Sequence, residues 1–204
     1  ETYFFLIVDE KTAPPKIQSV REETSEEKSL REQTTEAYSI SQQAQNALSD
    51  GDFDRALGFY QESVRLHEKL GDNMGKAVAL SGMAQIALDQ TNLSLALGLY
   101  KDGLQLYQQV ATSDPDNTLA KQGQAGALSQ LANVYWELKD PEQAQDYLEQ
   151  AVAISKAIED LEGLAYDTTK LGQLSQTRGE LESALTNYRA SLVIFEQLGN
   201  TSKT

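Results

Sequence analysis

Few side chains in this sequence are of a type and spacing that could do covalent chemistry. There is no cysteine, so neither a disulfide framework nor a thiolate metal site is available. His67 is the only histidine. A His-based triad would rest on it alone, and its place within an amphipathic run reads as packing or surface. Residues 50–54, DGDFD, alternate aspartates in the manner of a calcium loop. Such a loop needs Gly in sixth place and Glu in twelfth, where Arg55 and Gln61 stand, and the aspartates suit a turn and a helix cap instead. No Gly-rich phosphate loop, HExxH or nucleophile elbow occurs, and the carboxylates follow helix surfaces rather than converging on a pocket. The expectation is a non-enzymatic protein with no cofactor and no metal.

What recurs instead is hydrogen-bonding capacity. Ser41 and Gln45, Ser81 and Gln85, Ser129 and Asn133, and Thr169 and Gln173 are each one helical turn apart, so each pair shares a face. An amide offers both a donor and an acceptor, and a peptide leaving water needs its N–H and C=O groups satisfied. The bland alternative is a set of ordinary solvated polar residues.

The elements that carry these pairs are organised around residues 50–72, DGDFDRALGFYQESVRLHEKLGD, a turn followed by an amphipathic run and a stop. Related stretches follow at 92–110, 140–158 and 180–198. Units one and two are 40 residues apart, as are three and four; units two and three are 48 apart. The extra eight residues fall around 111–117, a loop signal. Gly51 and Gly179 suit left-handed turn positions. Asp52, Asn92 and Asp140 suit helix N-caps, and Pro141 a first helical position. Small residues recur at Ala37/Ala77/Ala125/Ala165, at Ala44/Ala84/Ala132/Gly172 and at Ala56/Ala96/Ala144/Ala184, which lets helix axes approach closely. Tyr60, Tyr100, Leu148 and Tyr188 fill the space between, with Leu66, Leu106, Ile154 and Ile194 nearer the helix ends.

Small residues at two crossing points and an aromatic in the second helix of a helix–turn–helix unit resemble the tetratricopeptide repeat family over residues 37–199. The period is longer than the family's usual ~34 residues, as in signalling adaptors and kinesin-light-chain-like proteins. The opening-helix signature is degenerate, nearest at Leu131-Ala132 and Tyr135. The resemblance implies an all-α fold: an α-solenoid of four units and eight main helices, in a right-handed superhelix with a concave groove lined by each unit's first helix. It also implies a scaffold or adaptor that binds peptides or proteins in that groove. In it the four hydroxyl–amide pairs would form a ladder on the face turned away from the second helix. Trp136, Leu48 and Leu88 lie about one turn beyond the amides. Trp136 reads either as an apolar anchor or as a wedge between units. Some family members grip a C-terminal carboxylate with Lys, Asn and Arg; here only Lys170 is a nearby base, so no such clamp is expected.

The net charge is −14. Phosphate backbones need clustered Lys and Arg, so a nucleic acid or anionic membrane is an unsuitable partner and a basic or neutral protein or peptide fits better. The longest apolar run, 4–8, is far short of the ~20 residues of a membrane span. Residues 1–21 read as a leader or docking arm. Residues 22–200 read as the array, with units 22–72, 73–112, 116–160 and 161–199, and 201–204 as a tail. Leu192, Val193 and Phe195 on the last helix leave apolar surface that reads as an end interface, for a partner or self-association. Two further readings stand beside the scaffold: a regulatory or oligomerisation segment of a larger enzyme or signalling protein, and a membrane-associated assembly factor whose anchor precedes Glu1. A cytoplasmic location is favoured under the first two.

Overall fold

The computed structural model describes residues 24–201; the expected leader at 1–21 lies outside them. Eight α-helices follow one another: α1 (Ser25–Ser49), α2 (Phe53–Leu70), α3 (Asn73–Asp89), α4 (Leu93–Ser113), α5 (Thr118–Glu137), α6 (Pro141–Ala157), α7 (Leu161–Thr177) and α8 (Leu181–Thr201). Each packs on its neighbours in sequence, and the opening helices also touch one another: α1 with α3, α3 with α5 and α5 with α7. The molecule is an all-α helical repeat, a solenoid of four helix pairs.

The starts of the helices are written in the sequence. Thr24 forms a reciprocal capping box with Glu27. Asp52, Asp72, Asn92, Asn117, Asp140 and Asp160 each accept the backbone N–H three residues on. Each such cap is worth about 1 kcal/mol. Six of the seven turns close identically, the N–H of the capping residue reaching back five positions to a carbonyl: Asp52 to Ala47, Asp72 to His67, Asn92 to Ala87, Asp140 to Tyr135, Asp160 to Ser155 and Glu180 to Ser175. That closure demands a left-handed residue just before the cap. Gly51, Gly71 and Gly179 supply it, but Thr91, Lys139 and Glu159 adopt it as well, at φ 59°, 62° and 57°. Only the α4–α5 connection departs, and the eight inserted residues lie there.

The three expected columns of small residues are all buried, Ala37, Ala44, Ala56, Ala77, Ala84 and Ala96 completely so. Tyr60 and Tyr100 fill the spaces between them. The apolar side chains condense into two clusters, one joining α1, α2 and α3 and one joining α3 to α6.

Candidate functional site

Two columns of polar residues run along the opening helices, and they do different work. Three of the four hydroxyls, Ser41, Ser81 and Thr169, turn toward the second helices rather than away from them as the expected ladder had it, and the fourth, Ser129, bonds to the next opening helix. Ser41 Oγ is 2.7 Å from Ser63 Oγ on α2. Thr169 Oγ1 is 2.6 Å from Ser191 Oγ on α8. Ser81 faces Gly103 on α4. Ser129 is buried and donates across to the Asp167 carboxyl on α7. Each of the four hydroxyl oxygens also lies within hydrogen-bond distance of the carbonyl four residues back. The reason is geometric. These hydroxyls sit over a small residue of the facing helix, at Ser63, Gly103 and Ser191, where a buried polar group must bond within the protein.

The Ser41 site continues into the order of a hydrolytic triad. His67 Nε2 lies 3.2 Å from Ser41 Oγ, and His67 Nδ1 lies 2.9 Å from Asp72 Oδ2. Asp72 also accepts from Tyr38 and from the Gly75 N–H. These hydrogen bonds, led by the Gly75 N–H, hold its carboxyl below the usual range against the opposing effect of burial. Yet His67 is completely buried and the Ser41 hydroxyl is engaged by Ala37 and Ser63. In the fourth unit Thr169 and Ser191 reproduce the hydroxyl pair with no histidine nearby. The cluster is a buried polar staple joining α1, α2 and α3. Of the two expected roles for His67, packing or surface, its complete burial leaves packing, with a network in place of plain contact.

Asp167 is the other buried charge site. It is 1% exposed, and burial pushes its carboxyl up to about 6, with Asp160 adding to the rise and the Ser129 hydroxyl opposing it.

The amide column faces open space. Gln85, Asn133, Trp136 and Gln173 come together in one cleft of about 560 Å³ between α3, α5 and α7. Leu88, Leu93 and Leu148 supply its apolar lining; Gln130, Tyr166, Lys170 and Glu137 add polar groups. Gln85 accepts from the Tyr100 hydroxyl and donates to Asp89. Asn133 donates to Gln130 at 2.9 Å and to Tyr166 at 3.4 Å. The Lys170 ammonium sits 5.3 Å from the centre of the Tyr166 ring. Gln45 and Leu48 lie apart from these, in a second cleft of about 420 Å³ between α1 and α3 that Ser81 also lines. Leu192, Val193 and Phe195 are all more than half exposed on α8.

Sequence reasoning missed Gln130 and Tyr166. Gln130 belongs to a column, Gln42/Gly82/Gln130/Lys170, that lines one cleft or the other in every unit. It carries three residue types over four units, so a search for recurrence passes over it. Variation at a repeat position that faces a cleft was the available signal.

A chain of paired, antiparallel helices with small residues at each crossing and a cleft between first helices is a helical-repeat protein. The tetratricopeptide repeat profile matches residues 33–109 and 123–199, and the chain belongs to that family. The fold is similar to that of BtubC (BKLC) from P. vanneervenii, with a TM-score of 0.68 at 20% identity over 80% of this chain. It is also similar to aspartyl phosphate phosphatase F from Bacillus subtilis, with a TM-score of 0.67 at 13% identity over 85% of this chain. The chain spans 64% and 44% of those two proteins. No curated protein matches the sequence. Among the described residues, no helix is long and apolar enough to cross a membrane.

Proposed function

We propose that the protein is a non-enzymatic scaffold that captures a peptide segment of a partner protein in the α3–α5–α7 cleft. The observation that carries this reading is the convergence there of Trp136 and three leucines with the amides of Gln85, Asn133 and Gln173. Apolar walls take side chains, and amides of either polarity satisfy a backbone. Binding energy concentrates on large aromatics, which assigns Trp136 the anchor role. The net charge of −14 favours a basic or neutral partner. Lys170 is the one base lining the cleft, held on Tyr166, so recognition rests on the segment's length rather than on a terminal carboxylate.

The test is selection of binders from a random 12-residue peptide library, followed by titration of the best sequences. Trp136→Ala weakens those peptides at least tenfold while moving the thermal midpoint less than Ser41→Ala does. Amidating the peptide's C-terminus leaves affinity unchanged. Binding that survives both Trp136→Ala and a Gln85→Ala/Asn133→Ala double substitution rules the cleft out, and strong dependence on a free carboxylate removes the backbone-holding mechanism.

A further inference from the structure

The second unit's opening helix carries a ring that belongs to the first. The Tyr60 ring of α2 lies across α3 at Gly82, where a Cβ would fall 2.2 Å from Tyr60 Cζ, the carbon that bears the hydroxyl. Gly75 and Gly123 are docking glycines of the same kind, under the rings of His67 and Tyr107. Tyr60 is 2% exposed, yet it lines the cleft of about 420 Å³ between α1 and α3. Its ring is packed away and its hydroxyl end is turned to that cleft.

The equivalent tyrosines satisfy their hydroxyls. Tyr100 donates to Gln85 and Tyr188 to Gln176, each on the opening helix of its own unit. Tyr60 has Gln45 at the position that serves Tyr100, but among the described residues its hydroxyl meets no hydrogen-bond partner. The difference lies at Gly82, whose equivalent in α5 is Gln130. Laid over a residue without a side chain, the Tyr60 ring reaches past its own unit's amide. Burial pushes the hydroxyl up from its ordinary value, so it stays protonated and acts as a donor. A nearly buried donor is costly until an acceptor reaches it. Around it Gln42, Asn46 and Ser81 offer further polar groups and Leu48 and Val78 apolar contact; among the described residues no charged side chain lines this cleft.

We infer that the α1–α3 cleft is a second subsite for the same partner segment, in which the Tyr60 hydroxyl donates to a carbonyl of an uncharged stretch of that segment. The inference rests on capture of the segment in the α3–α5–α7 cleft and extends it. The two clefts share α3 as a wall: Gln85 and Leu88 line the first, Val78, Ser81 and Gly82 the second. Gly82 precedes Gln85 by three residues, about 4.5 Å along the helix, and presents no side chain to an extended chain crossing there. From α1 to α7 such a chain passes three helix intervals, at least about 24 Å in all, or roughly seven to eight residues at about 3.3 Å each. The linings then differ in what they select. Lys170 and Glu137 at the first cleft can answer a charge on the segment. The second cleft has no counter-charge among its lining residues, so an ionised group there gives up water without a partner.

The probes are the best binders from the random 12-residue library, labelled with a fluorophore and titrated into the full chain and its variants with anisotropy as readout. Tyr60→Phe removes only a hydroxyl without a partner, so the thermal midpoint should hold. Affinity should fall about fivefold, the worth of one neutral hydrogen bond. Tyr188→Phe, which removes a hydroxyl already bonded to Gln176, should leave affinity unchanged. Trimming four residues from one end of the peptide should abolish the Tyr60 effect and keep the Trp136 effect. Lysine or aspartate placed in that end should each weaken binding to the native chain. Unchanged affinity for Tyr60→Phe beside a loss for Trp136→Ala overturns the second subsite and leaves the first cleft standing. A Tyr60→Phe loss that survives trimming at either end, or that comes without a Trp136→Ala effect, overturns it too, because the two clefts then do not hold one segment. Tolerance of both charges at that end has the same force. A library that yields no binder overturns both readings.

Discussion

At the scale of single residues, repetition and recognition separate. The column Ser41/Ser81/Ser129/Thr169 is regular because it meets structural demands: three of its hydroxyls sit over a close helix crossing and the fourth, Ser129, bonds to the buried Asp167. Ser41→Ala should therefore act on stability. It removes the partner of both Ser63 and His67, and a buried group left unsatisfied costs about 1–3 kcal/mol. A urea midpoint shift of that size, with peptide affinity unchanged, is the expected result. Asp167 makes a pH-dependent prediction. Burial pushes its folded carboxyl up to about 6, above the ordinary aspartate range, so the native state holds the proton more tightly. This group's effect is therefore destabilising above pH 6 and fades as the pH falls toward 4. The full effect is roughly 3 kcal/mol at most. Asp72 acts in the opposite sense, its lowered carboxyl adding stability above about pH 4 that is lost on further acidification. Asp167→Asn keeps an oxygen for Ser129 and removes the buried charge. It should be more stable than the native chain at pH 7.5, by about 1–3 kcal/mol, and indistinguishable near pH 4. Equal gains at both values would show that charge is not the cause.

At the scale of elements, the turns and crossings are where sequence and geometry can be compared most sharply. The caps Asp52, Asn92 and Asp140 and two of the six left-handed positions, Gly51 and Gly179, were legible because Gly, Asp and Asn have local reasons to be there; Gly71 carries the same signal. Thr91, Lys139 and Glu159 were not, because nothing in a β-branched or charged residue announces positive φ; the repeat imposes it through the five-residue closure. Thr91→Gly should relieve about 1–2 kcal/mol of left-handed strain and return about 0.5–1 through unfolded-state entropy. The thermal midpoint should then rise by about 2 °C; a fall would mean that the Thr91 side chain contributes more than its backbone costs. The docking glycines behave oppositely. Gly123→Ala drives a methyl into the Tyr107 ring and should cost about 1–3 kcal/mol. Gly126→Ala, three residues along the same helix with nothing within 4 Å, should gain about 0.5–1 kcal/mol from helix propensity. Urea melts of the two variants moving in opposite directions would verify that close approach, not glycine's flexibility, is what position 123 requires. The helix pairs and buried alanines were readable because period and size suffice for them. The division of the polar face into two clefts was not, since it depends on how neighbouring opening helices splay apart.

At the scale of the whole molecule, the array is a chain of nearest-neighbour junctions with unlike ends. Stability in such an array is close to a sum of unit and junction contributions, so local opening should follow the number of covered faces. α3, α4 and α5 have neighbours on both sides and contribute to the larger apolar cluster. Among the described residues α8 is covered on one side alone, with Leu181, Leu185, Leu192 and Phe195 exposed. The first turns of α1, residues 25–33, are exposed throughout. Amide hydrogen exchange should therefore be slowest in α3–α5 and faster by at least an order of magnitude in α8 and the start of α1, a gradient expected when opening is subglobal. Uniform protection across α1 to α8 would mean that the four units open as one cooperative block and that the exposed stripe costs nothing in local stability. The gradient also gives a readout for the cleft. A peptide held in the cleft bridges α3, α5 and α7 and should slow exchange there while leaving α8 as it was.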